Sequence, residues 1–146
     1  MQKTDQLYRR EEELVEVLCS ALVGDATPWG PLAVAREFGY LRGRTDVIAV
    51  DESGRVIAFE AKLSRWRDAL QQAYRNTCFA HLSYVALPQH AARKAQQFPA
   101  DFARRAVGIC CVLDGSIVVS IPARRQEPIQ PWLSELASAY VRDTDE

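Results

Sequence analysis

At 146 residues, with 48% hydrophobic and 25% charged residues, the chain has the size and composition of one globular domain with a substantial core. No apolar run reaches membrane-spanning length and the opening MQKTDQLYRREEE has no signal-peptide pattern, so a cytoplasmic protein without membrane association is expected. The net charge of −1 does not by itself point to a polyanionic partner, but its distribution is uneven. Residues 36–105 carry twelve Lys/Arg against seven Asp/Glu, whereas residues 1–35 and 106–146 each carry three against six. That basic middle could be an electrostatic footprint for a polyanion, or a chance excess. Cys19, Cys78, Cys110 and Cys111 lack metal-ligand spacing, and adjacent Cys110 and Cys111 would face opposite sides of a strand, so reduced, mostly buried thiols are expected.

Taken in order, residues 5–23 have helical periodicity, with Leu7, Leu14, Val15, Leu18 and Leu22 on one stripe. Glu11 falls inside that stripe, while Glu12, Glu13 and Glu16 point away. A buried acid needs a partner; alternatively the stripe starts at Leu14 and Glu11 is a first-turn surface acid. Residues 24–31 are a loop by their Gly and Pro content, with Trp29 a lid, a dimer contact or a cap on the core. Leu32–Tyr40 reads as the first strand, carrying Glu37 as a further candidate acid. The turn that follows places Arg42 and Arg44 beside the next strand, where they could hold a phosphate or be solvated surface residues.

The most informative stretch is RTDVIAVDESGRVIAFEAKLSRWRDALQQAYR, residues 44–75. Segments 45–50 and 55–63 are rich in Val, Ile, Phe and Ala with little alternation, the pattern of strands covered on both faces. Glu52-Ser53-Gly54 suits a three-residue hairpin loop with Gly in the left-handed position. If Asp51 pairs with Arg55, Asp46 falls opposite Glu60, and Lys62 shares the Glu60 face two residues on. A four-residue loop would instead put Asp46 opposite Phe59. Two adjacent carboxylates in an apolar hairpin repel each other, a conflict that a divalent cation removes. All-oxygen ligands favour Mg²⁺ or Mn²⁺ over zinc. A lysine beside such an ion can orient or deprotonate a water or stabilise charge on a phosphate oxygen. The plainer alternative is a cross-strand Glu60–Lys62 ion pair on a solvent-facing sheet, with Asp46 a surface charge.

Ser64 is a candidate N-cap for a helix over 65–81, with Trp66, Leu70, Ala73, Tyr74, Thr77 and His81 on its core stripe. Arg67, Gln71 and Cys78 flank that stripe on one side, and Arg65, Gln72 and Asn76 on the other. Leu82–Leu87 reads as a strand and residues 89–97 as a short helix. Val107–Leu113 and Ser116–Ile121 form a hairpin around Asp114-Gly115. Residues 131–141 close the chain as a helix packed through Trp132, Leu133, Leu136 and Tyr140, leaving 1–6 and 142–146 as loose ends of a single domain. No repeat, Ser/His/Asp triad, zinc pattern or phosphate loop is present.

Asp46, a 13-residue gap, then Glu60-Ala61-Lys62 at the end of a strand before a helix resembles the PD-(D/E)XK nuclease superfamily. The resemblance covers residues 7–121 in element order; it departs in having Thr45 where many members have proline, and it lacks a Gln-x-x-x-Tyr on the following helix. It implies an α/β restriction-endonuclease-like fold, a mixed central sheet flanked by helices, and Mg²⁺- or Mn²⁺-dependent hydrolysis of DNA phosphodiesters, in repair, recombination or defence. By this resemblance Asp46, Glu60 and the Ala61 carbonyl bind the metal, Lys62 handles the water, and Gln72 (with Gln71 second) orients it or a phosphate. Glu11 completes the shell, with Glu37 as its rival, and Arg42, Arg44, Arg65, Arg67 and Arg75 meet the nucleic acid. RNA and a homodimer remain open. The alternatives are a non-catalytic DNA-binding or assembly module of the same fold and a ligand-binding domain without nucleic acid.

Overall fold

The computed structural model describes residues 8–24, 27–41 and 43–145. Six strands, β1 (Leu32–Tyr40), β2 (Gly43–Asp51), β3 (Val56–Ala61), β4 (Leu82–Leu87), β5 (Val107–Leu113) and β6 (Ser116–Ile121), lie in one sheet in sequence order. The β1–β2, β2–β3 and β5–β6 pairs are antiparallel, whereas β3–β4 and β4–β5 are parallel. Parallel neighbours need helical crossovers. α2 (Trp66–Asn76) supplies the first, and α3 (Gln89–Ala95) with α4 (Pro99–Arg105) the second. α1 (Glu11–Leu22) and α5 (Pro131–Asp145) complete an α/β fold with a mixed sheet flanked by helices, the class expected from the sequence.

Every residue of β3 and β4 is buried, which is why their sequences run apolar without alternation. Alternate strand residues serve opposite layers. Val47, Ala49, Ile57 and Phe59 pack beneath Leu14, Leu18 and Leu22 of α1. Ile48, Val56 and Ala58 meet Phe79 and the α5 residues Leu133, Ala137 and Val141. A third cluster joins Trp66 and Leu70 of α2 to Val85, Ile109 and Phe102. Cys110 and Cys111 enter different clusters, as adjacent strand residues must, and all four cysteines are buried and form no disulfide.

Several boundaries differ from the sequence expectation, each for a local reason. α2 stops at Asn76 rather than 81, because a turn sends Phe79 into the core, fully buried. His81 therefore lies beyond the helix, where its Nδ1 accepts the Val56 N–H at 3.0 Å. Tyr74 is 53% exposed, and the buried face is formed by Trp66, Ala69, Leu70, Ala73 and Asn76. Ser64 makes no capping bond; Arg65 occupies the N-cap position. α4 went unread in the sequence. Pro99 opens it, but its C-cap is Ala106 at φ 59°, where a glycine would have signalled the end. α5 runs on to Asp145 instead of ending at 141, and its buried residues Leu133, Ala137 and Val141 leave Trp132 and Leu136 about half exposed. Residues 1–6 and Leu7 lie outside the described residues.

Candidate active site

The site is built by the register of the β2–β3 hairpin. Gly54 adopts φ 89°, Gly54 N–H donates to the Asp51 carbonyl and Asp51 N–H to the Arg55 carbonyl, closing a three-residue loop. The ladder then matches Val50 with Val56, Ala49 with Ile57, Ile48 with Ala58 and Val47 with Phe59. One step further along this register Asp46 faces Glu60, not Phe59. Their carboxyl groups are within hydrogen-bonding reach, and the Ala61 N–H donates to Asp46 Oδ2 at 2.9 Å.

Glu60 is only 1% exposed. Burial, then the charge and hydrogen bond of Asp46, push its carboxyl up to about 8, against the opposing effects of the Asn76 hydrogen bond and the Arg75 charge. Burial and the neighbouring carboxyl therefore favour the protonated form of Glu60. The rest of its surroundings are ordered. Asn76 Nδ2 donates to Glu60 Oε2 at 2.7 Å, while Asn76 Oδ1 accepts from Thr45 Oγ1 and Tyr40 Oη, each at 2.8 Å. Burial raises Tyr40 to about 12, keeping its hydroxyl a donor.

Lys62 lies just past the end of β3, one-quarter exposed, with its N–H on the Ala86 carbonyl. Its Nζ is 3.8 Å from Glu11 Oε1. Glu11 thus approaches the site through the lysine and from the surface. Its side chain is 47% exposed because the buried stripe of α1 begins at Leu14, which selects the reading of Glu11 as a first-turn surface acid over that of a buried one. Glu37 is exposed, adopts φ 57° and pairs with Arg44 at 3.5 Å. Among the described residues, no three His, Cys, Asp or Glu side chains gather closely enough to hold a metal, so neither acid joins Asp46 and Glu60.

Two clefts open here. One, of about 400 Å³, is acidic, lined by Glu11, Glu12, Glu16, Glu37 and Asp46 with Arg36 and Val15. The other, of about 470 Å³, is lined by Lys62, Asp68, Gln71, Gln72 and Arg75. Gln72 and Gln71 both border this cleft, Gln72 half-buried and Gln71 exposed. Arg75 lies against Gly43, where a Cβ would come within 3.2 Å of its guanidinium. Arg65 is bound to Asp68 at 2.9 Å, and Arg67 stacks over the Trp66 ring at 4.1 Å, so both face solvent beside α2 rather than the cleft lining. Arg42 lies outside the described residues. Sequence reading missed Asn76, Thr45 and Tyr40; the available signal was that Asn76 follows Gln72 by four, one helical turn along the same face.

The donor set suits a hard cation. Asp46 and Glu60 offer oxygen only, and Asn76 and the Ala61 N–H engage one oxygen of each, leaving the other available. Two carboxylates are what Mg²⁺ commonly takes from a protein, the remaining positions staying with water or substrate.

No protein-family model matches the sequence, and no curated protein matches it significantly. Among solved structures, the chain is similar to a protein of unknown function from Silicibacter pomeroyi, with 20% identity and a TM-score of 0.53 over 77% of each chain. A repair endonuclease from Pyrococcus abyssi matches at 14% identity and TM-score 0.45, over 77% of this chain and 50% of that one. SfsA from Pyrococcus furiosus, solved with Ca²⁺, matches at 11% identity and TM-score 0.35, over 65% and 56%. At these identities the first likeness concerns the fold alone.

Proposed function

We propose that the protein is a metal-dependent nuclease of the PD-(D/E)XK type, hydrolysing DNA phosphodiester bonds. The observation that carries this reading is the buried Glu60 facing a half-buried Asp46, two residues before Lys62, at the mouth of a hairpin whose remaining pairs are apolar. A buried carboxyl with a second acid against it costs stability, so a function has to justify it. Asp46 and Glu60, with the Ala61 carbonyl, would hold Mg²⁺ or Mn²⁺, which supplies Lewis-acid polarisation of a phosphoryl oxygen and a more acidic bound water. Lys62 directs an N–H at the water or at a non-bridging phosphate oxygen once substrate competes with Glu11. Gln72 and Arg75, lining the same cleft, orient the phosphate. Hydrolysis forms one bond from the water oxygen to phosphorus and breaks one ester P–O bond, leaving a phosphate monoester and a free hydroxyl.

DNA is the preferred partner, the protein cytoplasmic, and Arg44, Arg65 and Arg67 secondary phosphate contacts. No described helix is long and apolar enough to cross a membrane. A homodimer would use α5 rather than Trp29. The Trp29 ring packs 5.5 Å from Phe59 and 5.2 Å from Tyr84 as a core cap, whereas Trp132 and Leu136 border an open cavity of about 1440 Å³. The direct test incubates the purified protein with plasmid, linear and branched DNA in Mg²⁺, Mn²⁺ or EDTA, beside Glu60→Ala. Cleavage that needs metal and is absent in the variant supports the nuclease; DNA binding without cleavage in any metal would favour a non-catalytic module.

A further inference from the structure

The residues around Glu60 do more than bury it. Asn76 is fully buried and has both ends of its amide committed. Two hydroxyl donors, Thr45 Oγ1 and Tyr40 Oη, converge on Oδ1 at 2.8 Å. Thr45 and Tyr40 can donate or accept, but Glu60 Oε2 accepts, so it selects the N–H end of the amide and leaves Oδ1 to take both hydroxyl donors. Nδ2 consequently points at Glu60 and holds Oε2 at 2.7 Å. Three elements supply these groups: β1 gives Tyr40, β2 gives Thr45 next to Asp46, and the last turn of α2 gives Asn76. One oxygen of Glu60 is thereby occupied by a rigid donor, which leaves the second oxygen for another partner.

We propose that Asn76, locked by Thr45 and Tyr40, is a positioning residue that presents a single oxygen of Glu60 to the cation shared with Asp46. The inference rests on reading Asp46 and Glu60 as the cation site. Partners of this kind, one shell out from the ligands, orient them and tune the ion, and their loss commonly costs tenfold or more in affinity. Tyr40 also borders the cavity beside α5, so the chain of hydrogen bonds runs from that groove to the ligand.

The test measures Mn²⁺ binding by electron paramagnetic resonance, with the metal-free melting temperature recorded for every variant. Asn76→Ala should weaken Mn²⁺ binding ~10-fold or more. Tyr40→Phe and Thr45→Val should each weaken it less, and their combination should approach Asn76→Ala. In a Glu60→Gln background, Asn76→Ala should cause no further loss. General loosening of the fold would weaken the residual binding in that background too, and would scale with melting temperature rather than with the identity of the partner. Should Asn76→Ala fail to fold, the Tyr40→Phe/Thr45→Val pair carries the same comparison. Variants that bind Mn²⁺ as tightly as the wild type would overturn the positioning role while leaving the cation site intact. Absence of saturable Mn²⁺ binding by the wild type would overturn both.

Discussion

The β2–β3 hairpin carries a buried acid at each end, and the two are treated in opposite ways. At the closed end Asp51 accepts from the Ser53 N–H at 3.0 Å, the Ser53 hydroxyl at 2.8 Å, the Arg55 N–H at 2.9 Å and Arg55 Nε at 2.6 Å. Burial disfavours its charge, but the Arg55 and Ser53 donors outweigh that and hold its carboxyl below the ordinary value. At the open end Glu60 has one amide donor and a second carboxyl group for company, and its pKa rises to about 8. The same residue chemistry on the same two strands therefore separates into an acid that holds the turn and an acid left short of donors, where the proposed cation would sit. Counting donors against charges distinguishes them where burial alone does not.

The sharpest way to break this contrast is to neutralise one end at a time. Glu60→Gln should reduce metal-dependent DNA cleavage to background while leaving the metal-free fold as stable as the wild type, or more so, near pH 8. Asp51→Asn should do the reverse, costing about 2 kcal/mol in denaturant unfolding with cleavage per folded molecule unchanged. Loss of cleavage in both variants, or in neither, would remove the distinction.

The pH dependence of stability in EDTA should run in opposite directions at the two ends. Glu60 has a folded-state pKa above its unfolded one, so its contribution is complete below about pH 4.5 and is lost as the pH rises through about 8. At ~1.4 kcal/mol per unit of pKa difference, the loss should be several kcal/mol. Asp51 is depressed, so its contribution is present above 3.8 and is lost as the pH falls through its folded-state pKa. Melting temperatures across this range should decline on the alkaline side, flatten there in Glu60→Gln, and flatten on the acid side in Asp51→Asn.

How much of this was legible depended on whether the signal was local. The hairpin register followed from Glu52-Ser53-Gly54, because a three-residue loop with Gly54 at φ 89° leaves one pairing only. Asp46 and Glu60 could thus be placed side by side from sequence. Asn76 could not, since its burial depends on α2 ending there and on Tyr40 and Thr45 arriving from other strands. The place of Glu11 was undecided for a related reason. Helical phase put it on the apolar stripe, but phase does not say where along α1 the sheet ends. In α5 the stripe was rotated by a similar ambiguity, Trp132 and Leu136 being apolar yet half exposed.

Smaller effects test the open end further. Lys62→Met should leave Mn²⁺ binding in place and slow cleavage, which separates its role from that of Glu60; binding lost together with cleavage would place Lys62 among the structural supports of the pair. Gly43→Ala introduces a side chain at φ 144° and within 3.2 Å of the Arg75 guanidinium. The expected cost is ~1–3 kcal/mol of stability, with a weaker apparent affinity for DNA as Arg75 shifts.

The central claim is that the Asp46–Glu60 end is a cation site whose Glu60 proton the ion replaces. Calorimetric titration of the metal-free protein with Mn²⁺ near neutral pH, in buffers of different ionisation enthalpy, measures this directly. One ion should bind per chain with release of close to one proton, and Glu60→Gln should abolish the proton release and most of the binding. Saturable binding without proton release that survives in Glu60→Gln, or no binding at millimolar Mn²⁺, would contradict the account.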